Sequence, residues 1–240
     1  MGPIMDRREL QRRMFERTDA SMAQRVVLGV LAGALVAMIW WLLLRGGLEI
    51  AGGWLGWTWT SGDAGRRITL AAIFCIYYIR LLFTVFVFLK RGMSWSEVFT
   101  IAPWLLGVSL LLSISGGTNP DALGVVGGIG MVLFVAGSWM NSHAEYARHL
   151  WKRRPENQGR LYTHGLFRYS RHPNYFGDLV LFSGACLLAG GWITAIIPVL
   201  MLAGFVFVNI PVLDSHLHDH YGAAFDEYAK HTRKLIPFVY

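Results

Sequence analysis

The sequence has few charged residues. Only 15% of its 240 residues are Asp, Glu, Lys or Arg, whereas 54% are hydrophobic. Because a soluble domain carries roughly a quarter charged residues, the composition excludes an ordinary soluble protein and predicts an integral membrane protein. We expect an all-α fold: a polytopic membrane helix bundle with about six transmembrane helices.

Cysteine is also scarce, and common nucleotide-binding and nucleophile motifs are absent. The two cysteines, Cys75 and Cys186, lie in apolar runs, so we expect free thiols and no disulfide framework. The sequence has no GxGxxG or P-loop pattern and no nucleophile elbow. The first 25 residues lack the apolar core of a cleavable signal peptide. The net charge is +7, but the basic residues flank apolar runs, so we expect no nucleic-acid partner.

Apolar runs long enough to cross a bilayer divide the chain, since a span needs about 20 such residues. We interpret residues 1–24 as a cytoplasmic arm and residues 25–240 as one membrane-embedded domain, in which most polar motifs lie in 141–240. The Trp-rich segment 45–67 has the composition of an interfacial segment. The predicted spans are 26–44, 68–89, 98–115 and 123–140, and a tight hairpin of 179–189 with 192–210, followed by a polar tail at 211–240.

The basic residues predict the orientation of these spans. Eighteen of the 22 Lys and Arg residues lie on one side of the topology and three on the other, while Arg80 lies within a span. Six spans with both termini in the cytoplasm satisfy the positive-inside rule.

The polar stretch 160–178, RLYTHGLFRYSRHPNYFGD, is the strongest candidate site. Pro173 fixes its own φ and favours an extended His172, so a rigid turn presents Arg171 and Asn174. A basic loop beside a membrane is usually only the positive-inside signal. That signal explains the arginines, but not the Asn, Pro, Gly and three tyrosines among them.

Arg80 lies near the middle of the second span, where a charge costs about 2.5–3.5 kcal/mol on insertion scales. At helical spacing, Tyr77, Arg80, Thr84 and Arg91 share one face. One interpretation is a cavity wall, where the arginines meet an anion and Tyr77 donates a hydrogen bond. The other is a structural ion pair between Arg80 and a carboxylate of another helix.

Two patterns mark the fourth span. The spacing of Gly124 and Gly128 predicts a close helix contact. At the end of the span, Asn141, Glu145 and Arg148 share a helical face. We interpret Glu145 as a ligand for ribose hydroxyls or for arginines, with a solvated helix end as the alternative.

In the polar tail, His216 and His220 have the spacing of a zinc pair. No adjoining Glu base completes a metalloprotease pattern, so we expect no metal. Tyr221, Phe225 and Tyr228 recur at i, i+4 and i+7 and form one helix face.

These motifs resemble those of a known family. GLFRYSRHPNYFGD followed by a hairpin, and the closing YGAAFDEYAKHTRKLIPFVY, are similar to the steroid 5α-reductase C-terminal family and its sterol-reductase relatives. The YxxR pair of the second span with the later Arg-Gly, and NxHxEY at 141–146, are similar to it as well. The resemblance covers residues 75–240.

The resemblance implies NADPH in a cytoplasm-facing cavity and hydride transfer to the β-carbon of an enone. Tyr77 would be the catalytic residue that polarises the carbonyl oxygen. The substrate would be lipophilic, steroid-like or prenyl-type, and held in the lipid bilayer. The candidate cofactor-binding residues are Arg80, Arg91, Asn141, Glu145, Arg148, Arg160, Tyr169, Arg171, His172, Asn174, Asp178, His218 and Tyr221.

A second family shares the RHPxYxG turn: membrane methyltransferases of the isoprenylcysteine carboxyl type, which bind S-adenosylmethionine. They usually carry a Glu-Glu pair before the tail motif, where this sequence has Leu213, Asp214 and Ser215. The Gln-Glu pair of the reductases has no counterpart in 45–67, and Asp178 replaces their Glu. A methyltransferase and a non-enzymatic membrane protein therefore remain alternatives.

Reporter fusions test the orientation. The charge asymmetry places the C-terminus in the cytoplasm and the turn around residue 118 on the other side. A reporter fused at residue 118 and one fused at the C-terminus should therefore report opposite sides of the membrane. Two reporters on the same side would contradict the topology.

Overall fold

A computed structural model of the protein describes residues 21–240, which form helices joined by loops, with one isolated β-bridge. Nearly all of the expected arm at 1–24 lies outside the described residues. The helices are α1 (Met22–Leu44), α2 (Gly47–Trp54), α3 (Ala64–Phe83, continued by a π turn at Thr84–Phe88), α4 (Trp95–Gly117), α5 (Gly124–Lys152), α6 (Pro173–Ala189), α7 (Ile196–Gly204, between a 3-10 turn at Trp192–Ala195 and a π turn at Phe205–Asn209), α8 (Ile210–Tyr221) and α9 (Ala223–His231).

Within residues 21–240, five helical stretches are long and apolar enough to cross a membrane. They confirm the prediction of a polytopic all-α membrane bundle. The expected span at 179–189 lies in α6, which has 17 residues. It begins at Pro173, so the end of the polar stretch forms its first turns. The five stretches are Met22–Leu44, Ala64–Phe88, Trp95–Gly117, Gly124–Lys152 and Trp192–Tyr221.

Two arginines join the helix ends on the side away from the polar stretch. The Arg66 guanidinium is 4% exposed and donates to the carbonyl oxygens of Asp121, at 3.0 Å, and of Leu188. Arg67 donates to the carbonyl oxygen of Leu43 at 2.8 Å. Carbonyl groups at helix ends lack intrahelical partners, so these guanidinium groups satisfy them and hold α1, α3 and α6 together.

On the other side of the bundle, which we call the basic end, Arg25 fixes the chain that leaves α3. Its guanidinium donates to the carbonyl oxygens of Val85, Leu89 and Arg91, at 2.9, 3.0 and 2.9 Å. Three carbonyl acceptors on one planar donor fork define the position of this loop. The loop forms one wall of the cavity described below.

Helices α5 and α6 approach each other through four glycines, which we call the glycine seam (Gly130, Gly137, Gly177 and Gly184). A Cβ atom added to Gly130 would lie 2.7 Å from the Gly184 carbonyl oxygen, and one added to Gly177 would lie 2.8 Å from that of Gly137. Backbones come this close only where side chains are absent. The seam therefore sets the distance between the end of α5 and the start of α6.

The predicted close contact at Gly124 and Gly128 is wrong. Nothing lies within 4 Å of a Cβ atom added at either position. Gly130 and Gly137 are about two helical turns apart and both face α6, whereas Gly128 lies on a different face of α5.

Alanine at Gly137 should destabilise the protein. Its methyl group would lie 2.5 Å from the Gly177 carbonyl oxygen, and such overpacking costs about 1–3 kcal/mol. We expect a lower melting temperature for Gly137→Ala in detergent micelles. Gly128→Ala is the matched control on the same helix and should leave the melting temperature unchanged or slightly higher. An equal loss of melting temperature in both variants would contradict the close helix approach at the glycine seam.

Candidate functional site

A cavity of about 1080 Å³ opens at the basic end of the bundle. Its walls are the π turn after α3, the last turns of α5, the polar stretch before α6, and the tail helices α8 and α9. The volume is at the upper end of the range for small-molecule sites. Of the candidate cofactor-binding residues, the cavity brings together Arg91, Glu145, Arg148, Arg171, His172, Asn174 and Tyr221.

Glu145 lies at the centre of a polar cluster between α5 and α6. One carboxylate oxygen accepts from Arg148 at 2.5 Å, and the other accepts from the Asn174 side chain at 3.0 Å. The Asn141 side chain donates to the Asn174 carbonyl oxygen at 3.0 Å. Residues three and four apart share a helix face, and the glycine seam brings that face against the first turn of α6. The predicted face of Asn141, Glu145 and Arg148 is thus present. Glu145 and Arg148 line the cavity, whereas Asn141 does not.

Asp214 of α8 holds the turn that precedes α6. Its two carboxylate oxygens contact Arg171 at 3.0 Å and His172 at 2.9 Å. His172 is 1% exposed and stacks on Tyr175 with ring centroids 5.4 Å apart. The sequence interpretation missed this role of Asp214, because its partners Arg171 and His172 belong to a distant segment of the chain.

The tail also packs on the polar stretch through Tyr228. Its hydroxyl donates to the Phe167 carbonyl oxygen at 2.6 Å. Burial raises the pKa of Tyr228, so the phenol stays neutral and remains a donor. At the rim of the cavity, Lys152 donates to the Tyr221 hydroxyl at 2.5 Å. Tyr221 and Tyr228 both line the cavity. The single helix face predicted for Tyr221, Phe225 and Tyr228 is wrong, because α8 ends at Tyr221 and α9 begins at Ala223.

Arg80 forms an ion pair outside the cavity lining. Its guanidinium lies 2.9 Å from the Asp178 carboxylate and 5.3 Å from the centroid of the Tyr77 ring. This is the interhelical pair that the sequence left open as an alternative. The expected helical stripe from Tyr77 to Arg91 is wrong, because the α-helix ends at Phe83 and Arg91 follows the π turn in a loop. Cofactor contacts by Arg80 and Asp178 stay predictions.

Tyr77 lies deeper in the bundle than the cavity. Its ring packs edge-on against Tyr78 and Phe182, at 5.4 and 5.2 Å between centroids. The three residues line a void of only about 10 Å³. Beside it, Tyr78 and Ser109 share a buried hydrogen bond of 2.6 Å. A void of this size holds at most one water molecule, so substrate contact by Tyr77 stays a prediction.

Three other candidates lie on the surface and do not line the cavity. Arg160 is exposed. Tyr169 packs against Phe238, with ring centroids 5.7 Å apart. His218 is exposed and lies 3.5 Å from Asp226. Among residues 21–240, no group of His, Cys, Asp and Glu is arranged to hold a metal ion.

The charge of the cavity is strongly one-sided. Within the part of the chain that the structure describes, Glu145 is the one carboxylate in the lining, against six Lys and Arg residues and four histidines. A cleft with this balance of charge attracts anions. Sequence reasoning missed several of the cationic members, because their helix and loop positions resemble ordinary flanking charges. The six are Lys90, Arg91, Arg148, Lys152, Arg153 and Arg171.

Comparisons with known proteins agree with the resemblance noted from the motifs. Human 3-oxo-5-alpha-steroid 4-dehydrogenase 2 is 26% identical over 178 residues, which are 71% of this chain and 68% of the human protein. The protein of the same name from Macaca fascicularis is 28% identical with the same coverage. A probable protein-S-isoprenylcysteine O-methyltransferase of Oryza sativa subsp. indica is 31% identical over 84 residues, which are 35% of this chain and 44% of that protein.

These matches confirm the similarity to steroid 5α-reductases and to isoprenylcysteine methyltransferases. A family model described as "Protein of unknown function (DUF1295)" matches residues 92–232. That region contains most of the cavity lining and more than half of the chain. The protein therefore belongs to the DUF1295 family.

Proposed function

We propose that the protein is a membrane-embedded, NADPH-dependent reductase of a lipophilic enone. The observation that carries this proposal is the excess of six Lys and Arg residues over one carboxylate in the cavity lining. NADPH carries three phosphates, whereas S-adenosylmethionine carries none and has a sulfonium cation. Lys and Arg favour phosphate oxygens, so the charge of the cavity suits the phosphorylated cofactor.

The donors present fit such a ligand. Lys90, Lys152 and Arg153 line the cavity, and no ion pair joins any of them to a carboxylate of residues 21–240. The Arg171 Nε atom is buried without a hydrogen-bond partner. These groups would hold phosphates, while the carboxylate of Glu145 would accept from ribose hydroxyls.

When bound, NADPH supplies a hydride to a carbon–carbon double bond conjugated to a carbonyl group. In this reaction Tyr77 donates a hydrogen bond to the carbonyl oxygen and stabilises the negative charge that develops there. With the hydride added at the β-carbon and a proton from water at the α-carbon, the phenol of Tyr77 would stabilise the charge that the carbonyl oxygen carries in between. The products are the saturated ketone and NADP⁺. The contact of Arg80 with the Tyr77 ring orients the phenol.

The void beside Tyr77 is about 10 Å³, so a steroid-like or prenyl-type substrate requires α3, α4 and α6 to separate. All three contribute to its lining. Lipid-facing helices can part without exposing backbone to the bilayer, because their hydrogen bonds are internal. The substrate would therefore enter from the bilayer, while the cofactor enters the cavity at the basic end.

S-adenosylmethionine-dependent methyl transfer is the second candidate. It is favoured by the 31% identity to the rice methyltransferase, although that match covers only 35% of this chain. Its site would need carboxylates near the sulfonium group. Among residues 21–240, Glu145 is the one carboxylate in the cavity lining, against six Lys and Arg residues, which leaves this candidate less well supported.

Thermal unfolding in detergent separates the two cofactors. We expect NADPH to raise the melting temperature and S-adenosylmethionine to leave it unchanged, because a ligand that binds only the folded state stabilises it. The shift should shrink in high salt, since screening weakens phosphate contacts. Stabilisation by S-adenosylmethionine alone, independent of salt, would support the methyltransferase.

Two neighbouring arginines provide the matched variants for this assay. Both are exposed, but Arg153 lines the cavity and Arg154 does not. Arg153→Ala should weaken NADPH binding about tenfold, the effect of losing one charge-assisted contact of about 1.5 kcal/mol. Arg154→Ala should bind as the wild type does. Equal binding by both variants would place the phosphates elsewhere.

Tyr77→Phe tests the catalytic residue. With a 3-oxo-4-ene steroid as the probe, we expect oxidation of NADPH to slow about 10²-fold or more, while the NADPH-induced thermal shift is kept. Tyr78→Phe is the control, because its hydroxyl bonds Ser109; it should lower stability and retain turnover. Normal turnover by Tyr77→Phe would exclude this residue from the reaction.

A further inference from the structure

Residues 236–239, which we call the tip, form a fixed turn that exposes two large apolar side chains. Leu235 is fully buried, whereas Phe238 and Val239 are 78% and 72% exposed. The backbone of Phe238 has φ of +66°, which bulky residues rarely adopt. Hydrogen bonds hold this geometry: the Leu235 amide donates to the Tyr240 carbonyl oxygen at 2.7 Å, and the Tyr240 amide donates to that of Ile236 at 3.0 Å.

This tip packs beside membrane-spanning helices. Leu235 forms a buried cluster with Leu179 of α6 and Ile210 of α8, and Ile236 and Phe205 pack against the same cluster. Phe205 lies 13 residues after Trp192, the start of the last span. At 1.5 Å per residue that is about 20 Å into a hydrocarbon layer of about 30 Å. The tip therefore reaches the level of the bilayer.

Basic and aromatic side chains surround the tip. Arg168, Arg233 and Lys234 are exposed. The Tyr169 ring lies 5.7 Å from that of Phe238, and Lys234 Nζ lies 5.3 Å from the centroid of the Tyr240 ring. Aromatic residues are enriched at membrane interfaces, and clustered Lys and Arg attract anionic lipids. The patch matches a lipid surface in both apolar character and charge.

We propose that residues 236–239 insert into the leaflet at the basic end, with Arg233 and Lys234 bound to anionic lipid headgroups. The anchored segment also holds the turn that precedes α6. The Arg171 amide donates to the Arg233 carbonyl oxygen at 2.8 Å, and the Ser170 hydroxyl donates to that of Leu235 at 2.7 Å. Since Arg171 lines the cavity, the lipid contact fixes one cavity wall. The insertion does not depend on which cofactor the cavity binds.

A fluorescent label at the tip tests insertion. Val239→Cys, in a Cys75→Ala and Cys186→Ala background, is labelled with nitrobenzoxadiazole and reconstituted into equimolar phosphatidylcholine and phosphatidylglycerol vesicles. We expect lipids with acyl-chain nitroxides to quench this label and acrylamide to have little access to it. Glu227→Cys, on the exposed side of α9, is the control and should show the reverse. Phe238→Cys gives a second reading at the tip if the first variant fails to fold.

Acrylamide access at residue 239 equal to that at residue 227 would overturn the proposal. So would shielding from acrylamide without quenching by the lipid nitroxides, because protein would then cover the tip. The headgroup contact is tested by repeating the measurement in phosphatidylcholine alone. Access should rise there for the labelled protein, and Arg233→Gln combined with Lys234→Gln should abolish the difference between the two vesicles. Equal access in both vesicles without these substitutions would overturn the headgroup contact.

Discussion

The close contact of α5 with α6 is the constraint on which the rest of the structure depends. At the glycine seam, carbonyl groups of one helix lie where side chains of the other would otherwise stand. The seam runs to Asn141 on one helix and to Gly177 on the other. Because the backbones cannot separate there, Asn141, Glu145 and Asn174 meet with hydrogen-bond geometry. A wider spacing would leave these part-buried polar groups without partners, at a cost of about 1–3 kcal/mol each.

Charged groups inside the bundle are similarly each tied to a partner. Arg80 is paired with Asp178, and Arg66 satisfies carbonyl oxygens at helix ends. Removing one member of a buried pair leaves the other charge unpaired, which strongly destabilises the folded state. At the basic end the charged groups are not all paired in this way, because several cations of the cavity face solvent. The difference separates the paired charges inside the bundle from those of the proposed cofactor site.

The sequence predicts the spans well because a lipid-exposed helix needs a continuous apolar run. It predicts the polar face of Asn141, Glu145 and Arg148 because helical spacing is local. Prediction from the sequence fails where a contact depends on which helix face meets its neighbour, or on a partner residue far away in the chain. Nothing local distinguishes Gly128 from Gly130 as the contact residue. The π turn that removes Arg91 from the helix depends on Arg25, about 60 residues earlier. The role of Asp214 likewise depends on Arg171 and His172 of another segment.

The turn before α6 draws its support from far along the chain. Its hydrogen bonds reach Asp214, Tyr228, Arg233 and Leu235, some 40 to 65 residues later. During synthesis, the first four spans can therefore enter the membrane while the cavity is still incomplete. Membrane insertion and completion of the cavity are separate events in time, and closing this long loop is the step with the larger entropic cost. The proposed cofactor site of the nascent protein is complete only when the tail folds back onto the turn.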